Sequence, residues 1–209
     1  MFSFDMPDFR DIINTDIMIK SIINRLNELS ASKERVIAAI DGRCAAGKSS
    51  LAAALQIELG CAVFHMDDFY LRREQRTEER FAEPGGNVDR ERFYDEILSP
   101  LLRGDEEIVY RPFSCITFEL TEPRSVKAGD VIIIEGSYSC HPELWEYSDL
   151  HIFLTLSPDE QMRRIIRREG EKKAEMFKNR WIPFEERYFE AFNLEERCDM
   201  RFDTGLPEP

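Results

Sequence analysis

Residues 42–49 read Gly-Arg-Cys-Ala-Ala-Gly-Lys-Ser, which fits the phosphate-binding pattern G-x-x-x-x-G-K-[ST]. The apolar run 36–40 before it has the length of a buried strand, and leucines recur at helical spacing after it. This order lets backbone N–H groups surround phosphate oxygens while the positive end of the following helix points at the same anion. The stretch therefore predicts binding of a nucleoside triphosphate.

Different residues of the loop are expected to bind different parts of this ligand, which we take to be ATP with Mg²⁺. Lys48 is expected to reach the β- and γ-phosphates and to act in catalysis, and the Ser49 hydroxyl is expected to hold Mg²⁺. Glu135 ends the aliphatic run 131–134 and is a second candidate metal ligand, unless it is only an exposed acid at a strand end. The predicted ATP contacts are Gly42, Ala45, Ala46, Gly47, Lys48, Ser49 and Ser50.

The rest of the chain alternates between strand and helix patterns. Further strands are predicted at 61–66, 131–134, 151–156 and 200–202, and helices at 12–29, 89–102, 158–168 and 181–193. Such alternation predicts an α/β fold with a doubly wound parallel sheet of about five strands flanked by helices. We expect a single domain over 1–209, with an N-terminal helical extension at 1–30 and a small lid at 168–180.

The composition of the chain argues against some classes of binding partner. The 209 residues carry a net charge of −13, which argues against a nucleic-acid or anionic-membrane partner. No apolar run approaches the roughly 20 residues of a membrane span. The five cysteines are widely spaced, and residues 1–11 lack the features of a secretory signal, so we expect reduced thiols in a cytoplasmic protein. The sequence leaves open whether the chain forms a homo-oligomer.

Two acids follow the second predicted strand, where a ligand crevice is expected in open α/β sheets. One of Asp67 and Asp68 is expected to orient or deprotonate a hydroxyl group, although the pair could instead begin a loop. Strand alternation would send the two side chains to opposite sides, so only one would serve the site. Residues 71–88 show no apolar period and predict a mobile, functional loop with at most one short helical turn.

Four arginines lie on one predicted helix, at 163, 164, 167 and 168. Because no carboxylate falls between 162 and 168, we interpret them as unpaired locally and as an anion clamp, the alternative being a solvated face. The stripe of Arg164 and Arg168 runs toward the predicted lid. Arg164 is therefore a candidate catalytic residue and Arg168 a candidate ATP contact.

These motifs together resemble the uridine kinase-like group of P-loop kinases, which includes uridine kinase, phosphoribulokinase, pantothenate kinase and nicotinamide riboside kinase. The resemblance covers about residues 36–205. It rests on the loop, on Met-Asp-Asp-Phe-Tyr at 66–70, on Asn-Val-Asp at 87–89, on Tyr110, on Glu-Gly at 135–136 and on the arginine-rich helix. It implies ATP-dependent phosphorylation of a small-molecule hydroxyl group, with Asp67 as the base.

The resemblance also implies an acceptor site, with two departures. Tyr70 would line it, and Asp89 would hold ribose hydroxyls besides its local role as a helix cap. Tyr110 would bind a base or fill the core, whereas Arg111 and Cys115 stand where the group has an acid and a histidine. The resemblance to uridine kinases makes a nucleoside the first prediction for the acceptor. Arg111 would suit an anionic acceptor, so nicotinamide riboside, pantothenate or a sugar phosphate remains an alternative.

A protein of another class shares the same loop, namely a nucleotide-binding regulator without an acceptor. The acids at 67 and 89 and the arginine-rich helix favour the kinase, because a regulator needs no site for an acceptor hydroxyl. The guanine-reading pattern N-K-x-D is absent from the sequence, which argues against a GTPase.

Overall fold

The computed structural model describes residues 9–205. Its main sheet has five parallel strands in the order β2-β7-β1-β8-β9, and two small antiparallel pairs, β3 with β6 and β4 with β5, lie outside it. The strands are β1 (Val36–Gly42), β2 (Ala62–His65), β3 (Glu107–Tyr110), β4 (Phe113–Ser114), β5 (Glu119–Leu120), β6 (Arg124–Lys127), β7 (Val131–Glu135), β8 (Leu150–Thr155) and β9 (Met200–Asp203).

Helices connect these strands. They are α1 (Phe9–Ser30), α2 (Lys48–Leu59), α3 (Glu78–Ala82), α4 (Arg90–Phe93), α5 (Ser99–Arg103), α6 (Pro142–Trp145), α7 (Pro158–Glu169), α8 (Glu171–Met176), α9 (Ile182–Phe192) and α10 (Leu194–Arg197). Two π-helical turns, Tyr94–Leu98 and Phe177–Trp181, join α4 to α5 and α8 to α9. Ser157 caps α7 by accepting a hydrogen bond from the Glu160 amide.

Apolar residues cover both faces of the main sheet, because side chains alternate along each strand. Along β1, Ile37 and Ala39 join the core that includes Phe93 of α4 and Phe189 of α9. Val36, Ala38 and Ile40 join the opposite core with the helices α1 and α2. Helices on both faces of a parallel sheet confirm the predicted doubly wound α/β fold.

Two segments differ from their predicted form. Residues 66–69 form a 3₁₀ turn rather than the end of a strand, and the segment 71–88 contains a second 3₁₀ turn, Arg73–Gln75, together with α3. Short helical turns escape prediction since they have too few residues to show a period. Among residues 9–205, no helix is long and apolar enough to cross a membrane.

Candidate active site

A cleft of about 1660 Å³ opens where β1, β2 and β7 end. One part, here called the loop end, is lined by residues 44, 45 and 47–50 of the phosphate loop and by arginines of α7. The other part, here called the Asp67 end, is lined by residues that are far apart in sequence. They are Asp67, Tyr70, Arg76, Phe81, Asn87, Cys115, Phe118 and Arg180.

The two glycines of the loop motif, Gly42 and Gly47, have conformations that favour glycine. Gly42 has φ of 129°, and a Cβ atom there would collide with the backbone of Leu154 on β8. Gly47 has φ of 91° and directly precedes α2. Both positions lie in the region of positive φ that other residues seldom adopt. The loop can therefore lie tightly between the sheet and the start of the helix.

Lys48 folds back over the loop that it follows. Its Nζ atom donates hydrogen bonds to the carbonyl oxygens of Gly42, at 2.6 Å, and of Arg43, at 3.0 Å. The side chain is buried, yet it lines the cleft. A cation held at this position faces any anion that the loop amides bind.

A buried carboxylate, that of Asp41, forms hydrogen bonds at the start of the loop. Asp41 accepts hydrogen bonds from the amides of Gly42, Tyr138 and Cys140 and from the hydroxyl group of Tyr188. Burial raises the pKa of Asp41, whereas the bound amides and the charge of Lys48 act in the opposite direction. Sequence analysis missed this residue because an acid at the end of an apolar strand does not reveal its distant partners.

A second buried carboxylate touches the loop itself. Glu185 of α9 accepts a hydrogen bond from the Cys44 amide at 2.9 Å and from the Ser137 hydroxyl at 2.6 Å. Burial raises the pKa of Glu185, and the charge of Lys48 is the largest opposing effect. Sequence analysis also missed Glu185, which lies among other charged residues of an amphipathic helix.

The two predicted metal ligands lie together at the loop end. The Ser49 hydroxyl is 3.1 Å from both carboxylate oxygens of Glu135, and both residues line the cleft. His65 also lies here, with Nδ1 2.5 Å from Glu135 Oε1. No group of three or more His, Cys, Asp or Glu side chains in residues 9–205 forms a metal cage. One hydroxyl and one carboxylate suit Mg²⁺, which keeps water and phosphate oxygens as its other ligands.

The prediction that the arginines of α7 have no local partner was wrong for three of the four. Glu160 pairs with both Arg163 and Arg164, at 2.9 and 2.7 Å, and Glu169 pairs with Arg168 at 3.0 Å. The partner carboxylates lie outside residues 162–168, one turn before Arg164 and one residue after Arg168. Three of the side chains, those of residues 164, 167 and 168, nevertheless line the cleft.

Arg164 and Arg168 also contact the phosphate loop directly. Arg164 donates to the carbonyl oxygens of Ala45, at 3.4 Å, and of Thr204, at 2.5 Å. Arg168 lies with Nη2 3.7 Å from the sulfur of Cys44. The structure thus brings both predicted arginines to the loop end, and their contact with ATP stays a prediction.

At the other end, Asp67 and Asp68 point in different directions, but not for the reason that we expected. Both lie on the 3₁₀ turn Met66–Phe69, so strand alternation does not apply to them. Asp67 lines the cleft and accepts a hydrogen bond from the Tyr70 hydroxyl at 2.8 Å. Asp68 instead faces Tyr110 and Arg124, at 3.0 and 3.3 Å.

Tyr70 is a hydrogen-bond donor to Asp67 throughout the physiological pH range. Burial, followed by the charge of Asp67, raises the pKa of the Tyr70 hydroxyl well above its usual value. A neutral phenol therefore orients the carboxylate and leaves its second oxygen available.

The other predicted acceptor contacts are spread over different surroundings. Cys115 lines the cleft. Asp89 is buried and caps α4 by accepting from the Arg92 amide, and Tyr110 is buried with its hydroxyl on Asp68. Arg111 donates to the carbonyl oxygen of Thr121 at 2.7 Å. The last three do not line the cleft in this structure, and their contact with a substrate stays a prediction.

The residues that do line the Asp67 end include several without a sequence signal. Arg76 and Phe81 come from the segment 71–88, Phe118 from the turn between β4 and β5, and Arg180 from the π-helical turn before α9. These residues come from three separate segments, so only the tertiary fold brings them together.

Comparisons with known proteins bear on the fold. No family model and no curated protein matches the sequence. Among solved structures, a possible uridine kinase from Bacillus stearothermophilus has a TM-score of 0.58 at 23% identity, and the match covers 88% of this chain and 100% of that one. D-glycerate 3-kinase from Cryptococcus neoformans has a TM-score of 0.68 at 14% identity, with coverage of 91% and 95%.

Phosphoribulokinase from Rhodobacter spheroides is a third neighbour, with a TM-score of 0.54 at 11% identity over 82% of this chain and 71% of that one. These neighbours match the group that the sequence resembles. The chain has the α/β fold of the P-loop kinases.

Proposed function

We propose that the protein is an ATP-dependent kinase that transfers the γ-phosphate of ATP to a hydroxyl group of a small molecule. The observation that carries this proposal is the composition of one continuous cleft. Its loop end presents Lys48 and Ser49, and its other end presents Asp67 oriented by Tyr70. A nucleotide site that faces a carboxylate across a cleft suits transfer between two bound substrates.

The chemistry assigned to the chain follows from this placement. The acceptor oxygen attacks the γ-phosphorus, the bond from that phosphorus to the β,γ-bridging oxygen breaks, and ADP leaves. Asp67 holds the acceptor hydroxyl in line and takes its proton. Because the transition state is loose and proton transfer is late, positioning of the hydroxyl by Asp67 matters as much as basicity.

The charged groups of the loop end stabilise the transferred phosphoryl group in this proposal. Lys48 and the loop amides bind the β- and γ-phosphates, and Arg164 and Arg168 approach from α7. Ser49 and Glu135 would hold Mg²⁺, which when bound neutralises charge on the phosphates. The segment 168–180 would serve as the lid, because its residues 168, 169, 176, 177 and 180 line the cleft.

The identity of the acceptor is a separate question. A nucleoside is what the resemblance predicts, and pantothenate, nicotinamide riboside or a sugar phosphate is the alternative. Tyr110, the residue that would bind a base, does not line the cleft, so the geometry gives the nucleoside no additional support.

The test is ADP formation by the purified protein with Mg²⁺ and ATP, with and without a panel of acceptors. The panel contains uridine, cytidine, nicotinamide riboside, pantothenate, glycerate and ribose 5-phosphate. We expect at least one acceptor to accelerate ADP formation and to yield a phosphorylated product. ATP binding with slow hydrolysis that no acceptor accelerates would favour the nucleotide-binding regulator instead.

A further inference from the structure

Three arginines gather beside the Asp67 end of the cleft. Arg73 and Arg76 both face the ring of Phe118, with guanidinium carbons 5.4 and 4.8 Å from its centroid. Arg180 lies over Phe81 and Trp181, at 5.6 and 4.9 Å from the ring centroids. Arg76 and Arg180 line the cleft together with Asp67.

These three guanidinium groups differ from three neighbouring arginines that have acidic partners. Arg80 pairs with Glu91, Arg90 with Glu83 and Glu143, and Arg72 with Glu74. Within residues 9–205, no carboxylate forms an ion pair with any member of the trio of Arg73, Arg76 and Arg180. In a chain with 41 acidic and 28 basic residues, a group of cations without a paired acid is unexpected by composition.

The cations are also close enough to affect one another. Burial lowers the pKa of Arg76, and the charges of Arg180 and Arg73 lower it further, against the effect of Cys115. Mutual repulsion raises the free energy of the free site, and an anion placed between the cations removes that cost. The aromatic rings and the hydrogen bond from Arg76 Nε to the Leu71 carbonyl, at 2.8 Å, orient the side chains without neutralising them.

We infer that the acceptor carries, besides the hydroxyl group that is phosphorylated, an anionic phosphate or carboxylate group bound by Arg76 and Arg180. This inference rests on the proposed kinase function and specifies the substrate class of the same cleft. Arginine suits the role, since its planar group can bind either anion through two hydrogen bonds. Arg73, which is exposed beside Phe118, adds long-range attraction. The anion site thus differs from the one that sequence analysis placed at Arg111.

The experiment compares acceptors by charge and then removes the cations. ADP formation is measured with uridine and cytidine as neutral acceptors, pantothenate and glycerate as carboxylates, and ribose 5-phosphate as a phosphate ester. We expect a carboxylate or the phosphate ester to have a higher kcat/KM than either neutral nucleoside. The carboxylate and phosphate arms identify which anion the site accepts.

The variants Arg76→Gln and Arg180→Gln are then assayed with the preferred acceptor. Each is expected to raise KM for that acceptor about tenfold or more, as loss of a charged hydrogen bond does. KM for ATP should change little, because neither residue touches the phosphate loop. Lys127→Gln is the matched control, since it removes one exposed positive charge at the far end of β6.

The outcomes separate this inference from the proposed function. Efficient phosphorylation of uridine or cytidine, with unchanged KM in both arginine variants, would overturn the anionic acceptor and leave the kinase intact. Preference for an anion with arginine variants that behave like Lys127→Gln would overturn the assignment of Arg76 and Arg180. Failure of every acceptor in the presence of bound ATP counts against the proposed kinase itself.

Discussion

The two ends of the cleft are built in opposite ways. At the loop end, Lys48 and Asp41 are buried and already hydrogen-bonded within the protein, Lys48 to two loop carbonyls and Asp41 to four donors. At the Asp67 end, Asp67 is exposed, and Arg76 and Arg180 have no acidic partner among the described residues. A site that is held in shape by hydrogen bonds within the protein suits a ligand that does not vary. Cations without an acidic partner suit a ligand that supplies the negative charge.

The largest expected effect comes from removing the central cation of the loop end. Lys48→Ala should lower kcat by about 10³-fold or more, because Lys48 is the cation that the phosphate loop itself holds against the transferring phosphoryl group. Steady-state kinetics measure the loss, and circular dichroism checks that the variant is folded. Turnover retained in a folded variant would remove the basis of the comparison.

The next effect separates two neighbouring acids at the other end. Asp67→Asn keeps the shape of the side chain and loses its charge, so kcat should fall by about 10²-fold or more, with ATP affinity little changed. Asp68→Asn should be milder, because Asp68 binds Tyr110 and Arg124 away from the cleft.

The measurement for this pair is kcat for both variants, with ATP affinity determined separately by calorimetry. An inactive Asp68→Asn variant beside an active Asp67→Asn variant would show that the base is assigned to the wrong residue.

The contrast between the ends also explains what the sequence could predict. The loop end depends on a contiguous motif between a strand and a helix, so Lys48, Ser49 and the sheet around them could be predicted from local pattern. The partners of that motif, Asp41 and Glu185, could not, since their roles depend on residues distant in the chain. The fold class was predictable for the same reason as the motif, because periodic segments alternate along the chain.

The Asp67 end was less predictable because its walls come from short, aperiodic segments. Asp67 and Cys115, which the sequence singled out, line the cleft, whereas Arg76, Phe118 and Arg180 line it without any recognisable pattern in the sequence. The error over α7 has a simple physical origin, which is that helical side chains pair three or four residues apart. Glu160 is one turn before Arg164 and was therefore overlooked.

The smallest expected effect is a loss of folding stability at acidic pH. It involves the contact between His141 and the segment 71–88, which forms part of the Asp67 end. Burial, followed by the charge of Arg90, lowers the pKa of His141 to about 4. His141 Nδ1 accepts from the Glu143 amide, and the ring lies against Gly85 and stacks 6.0 Å from Tyr188. The neutral ring thus helps to hold the end of that segment on the core.

The pKa of His141 lies below its ordinary value near 6.5, so the unfolded chain takes up a proton first as pH falls. The contribution to stability is therefore present above pH 6.5 and is lost between pH 6.5 and 4. We expect the free energy of unfolding to fall by about 2 kcal/mol from this group between pH 7 and pH 5. Urea denaturation of the wild type and of His141→Gln measures the difference, and identical pH dependence in the two would contradict it.

The hydrogen bonds of Asp41 have a consequence for the order of folding. Its partners Tyr138, Cys140 and Tyr188 are 97, 99 and 147 residues farther along the chain. Closing segments of that length is entropically costly and is favoured only once the intervening sheet has formed. A phosphate loop that is continuous in sequence therefore acquires its support late, and a fragment ending before α9 would contain the whole motif yet lack two of the groups that hold its shape, Glu185 and Tyr188.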